Sequence, residues 1–239
     1  MNTKKRGCVY LIPCTLGETP VAQVIPAYVK EIVNTIDEFV VEDIRSARRY
    51  LKLLDIQKDI GSLVFHELNE QTEINSNVSN YLASIEDGKN IGILSEAGYP
   101  CIADPGAAIV KLAHQKNIQV IPLVGPSSIL LSLTASGFNG QNFCFHGYLP
   151  KEQPERIKKI KVLEQAVYKQ NQTQLFIETP YRNNHTVEDL LQNCLPDTLL
   201  CIAANLTLPE EFVKTKKIRD WKNNVPDINK QPAIFLLYK

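Results

Sequence analysis

The chain lacks a long apolar run: nowhere does it approach the roughly 20 residues that a membrane span requires, so a spanning helix is not expected. It also lacks an excess of either charge. Lys plus Arg and Asp plus Glu both number 26 in 239 residues, for a net charge of zero, so no global positive field advertises nucleic acid. A local basic face is still compatible with a balanced total. The six cysteines (Cys8, Cys14, Cys101, Cys144, Cys194, Cys201) contain no C-x-x-C pair and the four histidines are scattered. That argues against a zinc site and for reduced thiols in a cytoplasmic protein. Internal repeats and low-complexity tracts are missing as well. Hydrophobic residues at 44% and charged residues at 22% are ordinary for a globular protein with a sizeable core.

The richest stretch is IGILSEAGYPCIADPG at 91–106, followed by IQVIPLVGPSS at 118–128. In each, a short apolar run stops at small residues, glycine and proline, as when a buried parallel strand feeds a loop at the carboxyl edge of a sheet. Such edges bind ligands. Asp104, Pro105 and Gly106 read as a helix start, with Asp104 as N-cap and Pro105 at the first helical position. The free N–H groups of such a start favour an anionic group.

The rest of the chain alternates strands and helices. Lys4, Lys5 and Arg6 before CVYLIPC imitate a secretory signal faintly, but the apolar run is short, and Val9 to Ile12 reads as the first strand. Val21 to Ile36 has helical spacing that Pro26 interrupts. Strands follow at Phe39–Val41 and Leu63–His66, with a helix from Ser46 to Leu54 and an amphipathic one from Ile74 to Ile85 that Gly88 stops. Val41 runs into Glu42, Asp43 and Arg45, a trio equally suited to capping a helix and to chemistry. Beyond strand Ile118–Leu123 come helix Ile129–Ala135, strand Phe143–Leu149, a Lys- and Gln-rich helix within 151–172, strand Leu175–Ile177, helix Val187–Cys194, strand Leu199–Ala203, a hairpin through Phe212 to Ile218, and strand Ala233–Tyr238. The expected architecture is therefore two α/β domains, 1–120 and 121–239, the first with a largely parallel sheet.

Taken together, these motifs resemble the tetrapyrrole methylase superfamily, and within it the branch of ribosomal RNA small subunit methyltransferase I. Ser95-Glu96-Ala97-Gly98-Tyr99-Pro100-Cys101-Ile102-Ala103-Asp104-Pro105-Gly106 is similar to that family's Ser-Asp-Ala-Gly-x-Pro-x-Ile-Ser-Asp-Pro-Gly. Val124-Gly125-Pro126-Ser127-Ser128 is similar to Pro-Gly-Pro-Ser-Ala, Gly147-Tyr148-Leu149-Pro150 to Gly-Phe-Leu-Pro, Glu178-Thr179-Pro180-Tyr181-Arg182 to Glu-Ser-Pro-His-Arg, and Glu42-Asp43-Ile44-Arg45 to Glu-Asp-Thr-Arg. Phe65, His66, Asn69 and Glu70 sit where the branch has its aromatic-His and Asn-Glu pairs. The chain departs from the pattern at Pro13–Glu18, where the family has Thr-Pro-Ile-Gly-Asn, and at Asn205-Leu206-Thr207-Leu208, where it has Glu-Leu-Thr-Lys. The family's C-terminal extension has no counterpart here.

The resemblance implies S-adenosyl-L-methionine as cofactor, lying in a cleft between the two domains. On that basis Pro13, Leu16, Gly17, Glu96, Ala97, Gly98, Pro100, Ile102, Asp104, Gly125, Pro126, Ser127, Ser128, Glu178, Tyr181, Pro232 and Ala233 are its candidate contacts. Asp43, Glu96, His66 and Arg45 are the candidate catalytic residues: the first three as general base in that order, since a ribose hydroxyl needs one, and Arg45 to orient a carboxylate or hold phosphate. No metal is implied. The acceptor on this reading is RNA, methylated at a ribose 2′-hydroxyl; a tetrapyrrole-type small molecule and a cofactor-binding protein without catalysis are the alternatives. A homodimer is expected by analogy.

Overall fold

The structure is a computed structural model, and it describes residues 6–68, 80–222 and 224–239. The chain divides into two compact units, Met1–Ser127 and Ser128–Lys239. A division at 120/121 would cut the strand Val120–Pro122, which pairs with the first strand of the chain. The expected boundary therefore moves by seven residues, because a strand belongs with the sheet that satisfies its hydrogen bonds.

The first unit holds β1 (Val9–Ile12), α1 (Val21–Val24), α2 (Ala27–Val33), β2 (Glu38–Val41), α3 (Ile44–Leu53), β3 (Val64–Glu67), β4 (Ile91–Leu94), α4 (Ala107–Gln115) and β5 (Val120–Pro122). Its sheet has the order β3-β2-β4-β1-β5, and every neighbouring pair is parallel. Side chains alternate across it with period two. Ile12, Phe39, Val41 and Leu94 join the core beneath α2 and α3, with Val29, Val33, Ala47 and Leu51. Val9, Val40, Ile91 and Ile93 face the opposite core, with Ile109 and Ala113 of α4. Pro26 divides α1 from α2, since a helix interior has no place for a residue without an N–H.

Two expectations need correction here. Asp104 does not cap α4. The helix begins at Ala107 behind Gly106, and the Asp104 carboxylate bridges the Cys101 N–H of the preceding loop and the Gly106 N–H just ahead of the helix. Of the helix expected from Ile74 to Ile85, the described part is a 3₁₀ helix, Asn80–Asp87. It ends where the Gly88 N–H reaches the Ile85 carbonyl, three residues back, with Gly88 at φ 86°. Ile74 and Val78 lie outside the described residues, as do Asn69 and Glu70.

The second unit holds α5 (Ser128–Ser136), β6 (Phe143–Tyr148), α6 (Gln153–Gln170), β7 (Thr173–Ile177), α7 (Asn183–Asn193), β8 (Leu199–Ala204), β9 (Phe212–Lys217), α8 (Ile218–Trp221) and β10 (Ala233–Tyr238). Its sheet, β6-β7-β10-β8-β9, is mixed: β6 and β7 are parallel, while β10 runs antiparallel to both β7 and β8, and β8 and β9 form the expected hairpin. Phe176, Leu200, Ile202, Phe235 and Leu237 pack against Ile160 and Leu163 of α6, Val187 and Leu190 of α7 and Trp221 of α8. The Thr215 hydroxyl of β9 donates to the Ser136 carbonyl at 2.9 Å, which fixes the end of α5. Among the described residues no helix is long and apolar enough to cross a membrane.

Candidate functional site

In the first unit β1 and β4 are neighbours, but the chain leaves β1 toward the face covered by α2 and leaves β4 toward the face covered by α4. Two adjacent parallel strands whose connections depart to opposite faces open a crevice at their carboxyl ends, where ligands bind in α/β sheets. Three loops meet there: 13–19 after β1, 95–106 after β4 and 123–127 after β5.

Backbone makes most of this junction. The Cys14 N–H donates to the Gly98 carbonyl at 2.8 Å, a one-residue antiparallel bridge between the first two loops. Gly98 has φ 67°, and a Cβ there would lie 3.2 Å from Leu16 Cδ2 and 3.6 Å from the Pro126 oxygen, so its glycine links all three loops. Gly125 is tighter still: its Cβ would fall 2.3 Å from Pro13 Cβ. The Gly125 N–H donates to the Tyr99 hydroxyl oxygen at 2.8 Å. From below, the buried Tyr50 of α3 donates its hydroxyl to the Pro13 carbonyl at 2.7 Å. The Cys14 thiol sits 3.1 Å from the Ser95 carbonyl, and burial pushes its pKa up to about 12, so it packs as a neutral group.

Asp104 braces the second loop. Its carboxylate accepts the Cys101 N–H at 2.8 Å and the Gly106 N–H at 2.7 Å. Burial raises its pKa, a push that those two bonds oppose. Between these partners Cys101 and Ala103 take φ of 71° and 59°, a left-handed backbone that costs non-glycine residues on the order of 1 kcal/mol each. Pro100 is buried in this loop, while Ala97 and Ile102 are exposed at its surface. A small cavity beside it is lined by Val41, Glu42, Leu94, Asp104 and Gly106, which puts the ends of β2 and β4 at one concavity.

The four candidate catalytic residues do not form one cluster. Asp43 is the N-cap of α3, its Oδ1 accepting the Ser46 N–H at 2.7 Å. That bond, with help from Arg45, holds the carboxyl below its ordinary pKa. The Ser46 hydroxyl lies 3.3 Å from Glu96 Oε1, so a serine joins the two carboxylates. Arg45 is exposed one residue past the start of α3. His66 stands apart: its Nε2 is 2.7 Å from Glu38 Oε1, and its ring stacks on Tyr81 with centroids 4.8 Å apart.

The second unit gathers its own loops where β7 and β8 end and the antiparallel β10 begins. Glu178 is buried and fully engaged: Oε1 accepts the Thr179 N–H at 2.7 Å and Arg182 Nε at 2.9 Å, with Arg182 Nη2 on the same oxygen and the Thr186 hydroxyl 3.4 Å from Oε2. Tyr181, three residues on, is 72% exposed. The Pro180 carbonyl accepts the Lys230 N–H and the Pro232 carbonyl the Asn205 N–H, both at 3.0 Å. Pro232 and Ala233 thus lead into β10 beside the departing Asn205-Leu206-Thr207-Leu208 segment, in which Asn205 and Thr207 have φ of 52° and 72°.

No family model matches the chain. Among curated proteins, the ribosomal RNA small subunit methyltransferase I of Bacillus subtilis (strain 168) is 30% identical over 220 residues, which span 91% of this chain and 70% of that protein. The chain belongs to this family. The enzyme of the same name from Haemophilus influenzae is 27% identical over 238 residues, covering 98% of this chain and 80% of its own. Solved structures agree on the fold: diphthine synthase has a TM-score of 0.65 at 18% identity, covering 97% of this chain and 89% of its own, and the methyltransferase CobJ 0.64 at 18%, covering 98% and 94%. As a member of the small subunit methyltransferase I family, the chain is an S-adenosylmethionine-dependent methyltransferase with the tetrapyrrole methylase fold.

For this methyltransferase the loop motifs were visible in the sequence, while the groups that hold the loops were not. Ser46, Tyr50 and Tyr99 each bond across a gap of chain that no local spacing reports. Their only local signal is position: Ser46 falls three residues after a capping Asp, and Tyr50 lies on the apolar face of its helix.

Proposed function

We propose that this enzyme methylates a ribose 2′-hydroxyl of small-subunit ribosomal RNA, using S-adenosylmethionine held by the three loops of the first unit. The observation that carries the cofactor reading is the glycine-lined junction. Gly98 and Gly125 let the three loops close on one another where a Cβ would collide, and so present bare backbone N–H and C=O groups to the polar groups of a ligand. Pro13, Leu16, Gly17, Ala97, Gly98, Pro100, Ile102, Gly125, Pro126, Ser127 and Ser128 supply that cradle. Asp104 shapes it from behind. Tyr181, Pro232 and Ala233 are carried as further contacts on the family resemblance, and Glu178 acts by fixing the turn that presents Tyr181. When bound, the cofactor supplies an electrophilic methyl group on a sulfonium.

The protein's part is to align the acceptor, exclude water and take a proton. A ribose hydroxyl is a weak acid, so a base must meet it as it attacks. Asp43 is less suited, because its Oδ1 caps α3 and its pKa is depressed. Glu96 is exposed and, among the described residues, meets the Ser46 hydroxyl, so it can turn to an acceptor while Ser46 and Asp43 stay in place. We assign Glu96 as base and Asp43 and Ser46 as its positioning residues. His66, tied to Glu38, is not part of this set.

Family resemblance and six free thiols support a cytoplasmic enzyme, and the resemblance adds a homodimer, which sedimentation of the purified chain would read. The function itself is tested with radiolabelled cofactor and small ribosomal subunits from cells lacking this enzyme. A 2′-O-methyl group blocks alkaline cleavage of the adjoining phosphodiester, so label in alkali-resistant dinucleotides is the expected result. Label that is alkali-labile, or that enters a tetrapyrrole instead of RNA, would overturn the acceptor. Glu96→Gln is expected to lower kcat at least about a hundredfold with cofactor affinity unchanged, in line with loss of a general base.

A further inference from the structure

The outer face of α3 carries Arg45, Arg48, Arg49 and Lys52, all exposed. At 100° per residue they fall within a stripe about 100° wide and about 10 Å long, opposite the buried Ala47, Tyr50 and Leu51. Elsewhere in this unit Arg6 is paired with Glu86, Lys30 with Asp55 at 2.7 Å and Lys58 with Asp37, while Lys89, Lys111 and Lys116 are scattered along the chain and not ion-paired among the described residues. Among the described residues the four on α3 form no ion pair.

Three of the four are arginines, the side chain suited to phosphate oxygens and to stacking on a base. Arg48 shows the second property already. Its guanidinium lies 5.3 Å from the centroid of the Phe65 ring, and Phe65 in turn stacks on the buried Phe39 at 5.8 Å. Arg48 is therefore the exposed outer member of a row, Arg48–Phe65–Phe39, anchored in the core. Such guanidinium planes accept unstacked bases of single-stranded RNA. The stripe begins at Arg45, in the same first turn of α3 as Asp43 and Ser46, so a strand lying along it would pass the proposed base.

We infer that this face of α3 is the docking track for single-stranded RNA beside the methylated nucleotide, with Arg45, Arg49 and Lys52 on phosphates and Arg48 stacked on a base. The inference rests on the RNA reading of the function. It separates this helix from α6, whose exposed Lys158, Lys161 and Lys169 belong to an ordinary solvated face.

The test is the affinity of the full chain, saturated with S-adenosylhomocysteine, for a fluorescein-labelled mixed-sequence RNA 20-mer across a salt series. For single strands the slope of log affinity against log salt is about 0.7 per phosphate contact. The triple variant Arg48→Gln, Arg49→Gln, Lys52→Gln removes two of the phosphate contacts and should lower it by about 1.4, and the variant Lys158→Gln, Lys161→Gln, Lys169→Gln should leave it as in the wild type. The charge-preserving pair Arg48→Lys, Arg49→Lys should keep the slope and bind more weakly, which separates stacking and bidentate contact from charge alone.

An unchanged slope in the α3 triple variant, or an equal loss in the α6 variant, would overturn the track. Tighter binding of the duplex form with the same slope loss would overturn the single-stranded occupant. A wild type that binds the 20-mer through α3 but methylates no ribosomal RNA would remove the proposed function and leave the track standing. A wild type that binds no RNA would remove both.

Discussion

The two units build their loop clusters by different means. In the first, every strand is parallel, so all five carboxyl ends lie along one edge and the loops after β1, β4 and β5 are neighbours without further help. They then interlock through backbone: the Cys14–Gly98 bridge, and glycines at 98 and 125 where a Cβ would collide. In the second, strand directions are mixed, and one edge collects the ends of β6, β7 and β8 with the starts of β9 and β10. That cluster is held by buried side chains instead, Glu178 with Arg182 and Thr186, and Asn183 donating to the Gln231 carbonyl at 2.6 Å. The lesson is that a ligand cradle made of backbone is broken by adding atoms, and a scaffold made of buried polar pairs by removing them.

The largest effect should come from removing Glu178. Its side chain is fully buried and its partner Arg182 is 25% exposed, so Glu178→Ala strands a guanidinium and a Thr179 N–H and should destabilise by about 3 kcal/mol. Denaturant unfolding followed by the single tryptophan, Trp221 in the second core, would read it. In the first unit, Gly125→Ala forces Pro13 or its own loop to move, at about 1 to 3 kcal/mol. It should weaken cofactor binding far more than Glu178→Ala does. If the two variants lost cofactor affinity equally, the contrast between backbone cradle and side-chain scaffold would be wrong.

A smaller loss is expected for Tyr50→Phe, which leaves the Pro13 carbonyl without its donor in a buried place and should cost on the order of 1 to 2 kcal/mol. Its cofactor affinity should fall only as far as the first loop loosens. Asp43 gives the smallest effect, and a pH-dependent one. Its folded pKa lies below the ordinary 3.8 because it accepts the Ser46 N–H, so its contribution is present above 3.8 and is lost as pH falls through the folded value. Asp43→Asn keeps a capping oxygen, and its thermal midpoint should match wild type near neutrality while losing less on acidification. An equal acid dependence would show that the cap is not ionic.

How much was legible follows the same division. β1 and β10 were readable to the residue, because each is a short apolar run bounded by turn formers on one side. The break at Pro26 was readable for the same local reason. Asp104 was misread because Asp-Pro-Gly before an apolar run has the local pattern of a helix start. What decides its role is the Cys101 N–H, reachable only once residues 101 and 103 are left-handed. In α6 the helical spacing of Ile157, Ile160, Leu163 and Val167 marks an apolar face but gives no sign of the buried Arg156, whose partner Asp189 is 33 residues away at 2.7 Å, nor of the buried Glu164, which accepts the Leu195 N–H at 2.7 Å. Local pattern reports where the chain turns; it does not report which distant group meets it there.

The measurement that bears most directly on the backbone cradle is calorimetric titration of S-adenosylhomocysteine into wild type and Gly98→Val. Valine at φ 67° would place a β-branched side chain between Leu16 and the Pro126 carbonyl. The account predicts tight binding by wild type and at least about a hundredfold loss in the variant, with the Trp221 unfolding transition of the second unit unchanged. Equal binding by both proteins would contradict it, and would move the cofactor away from the crevice between β1 and β4.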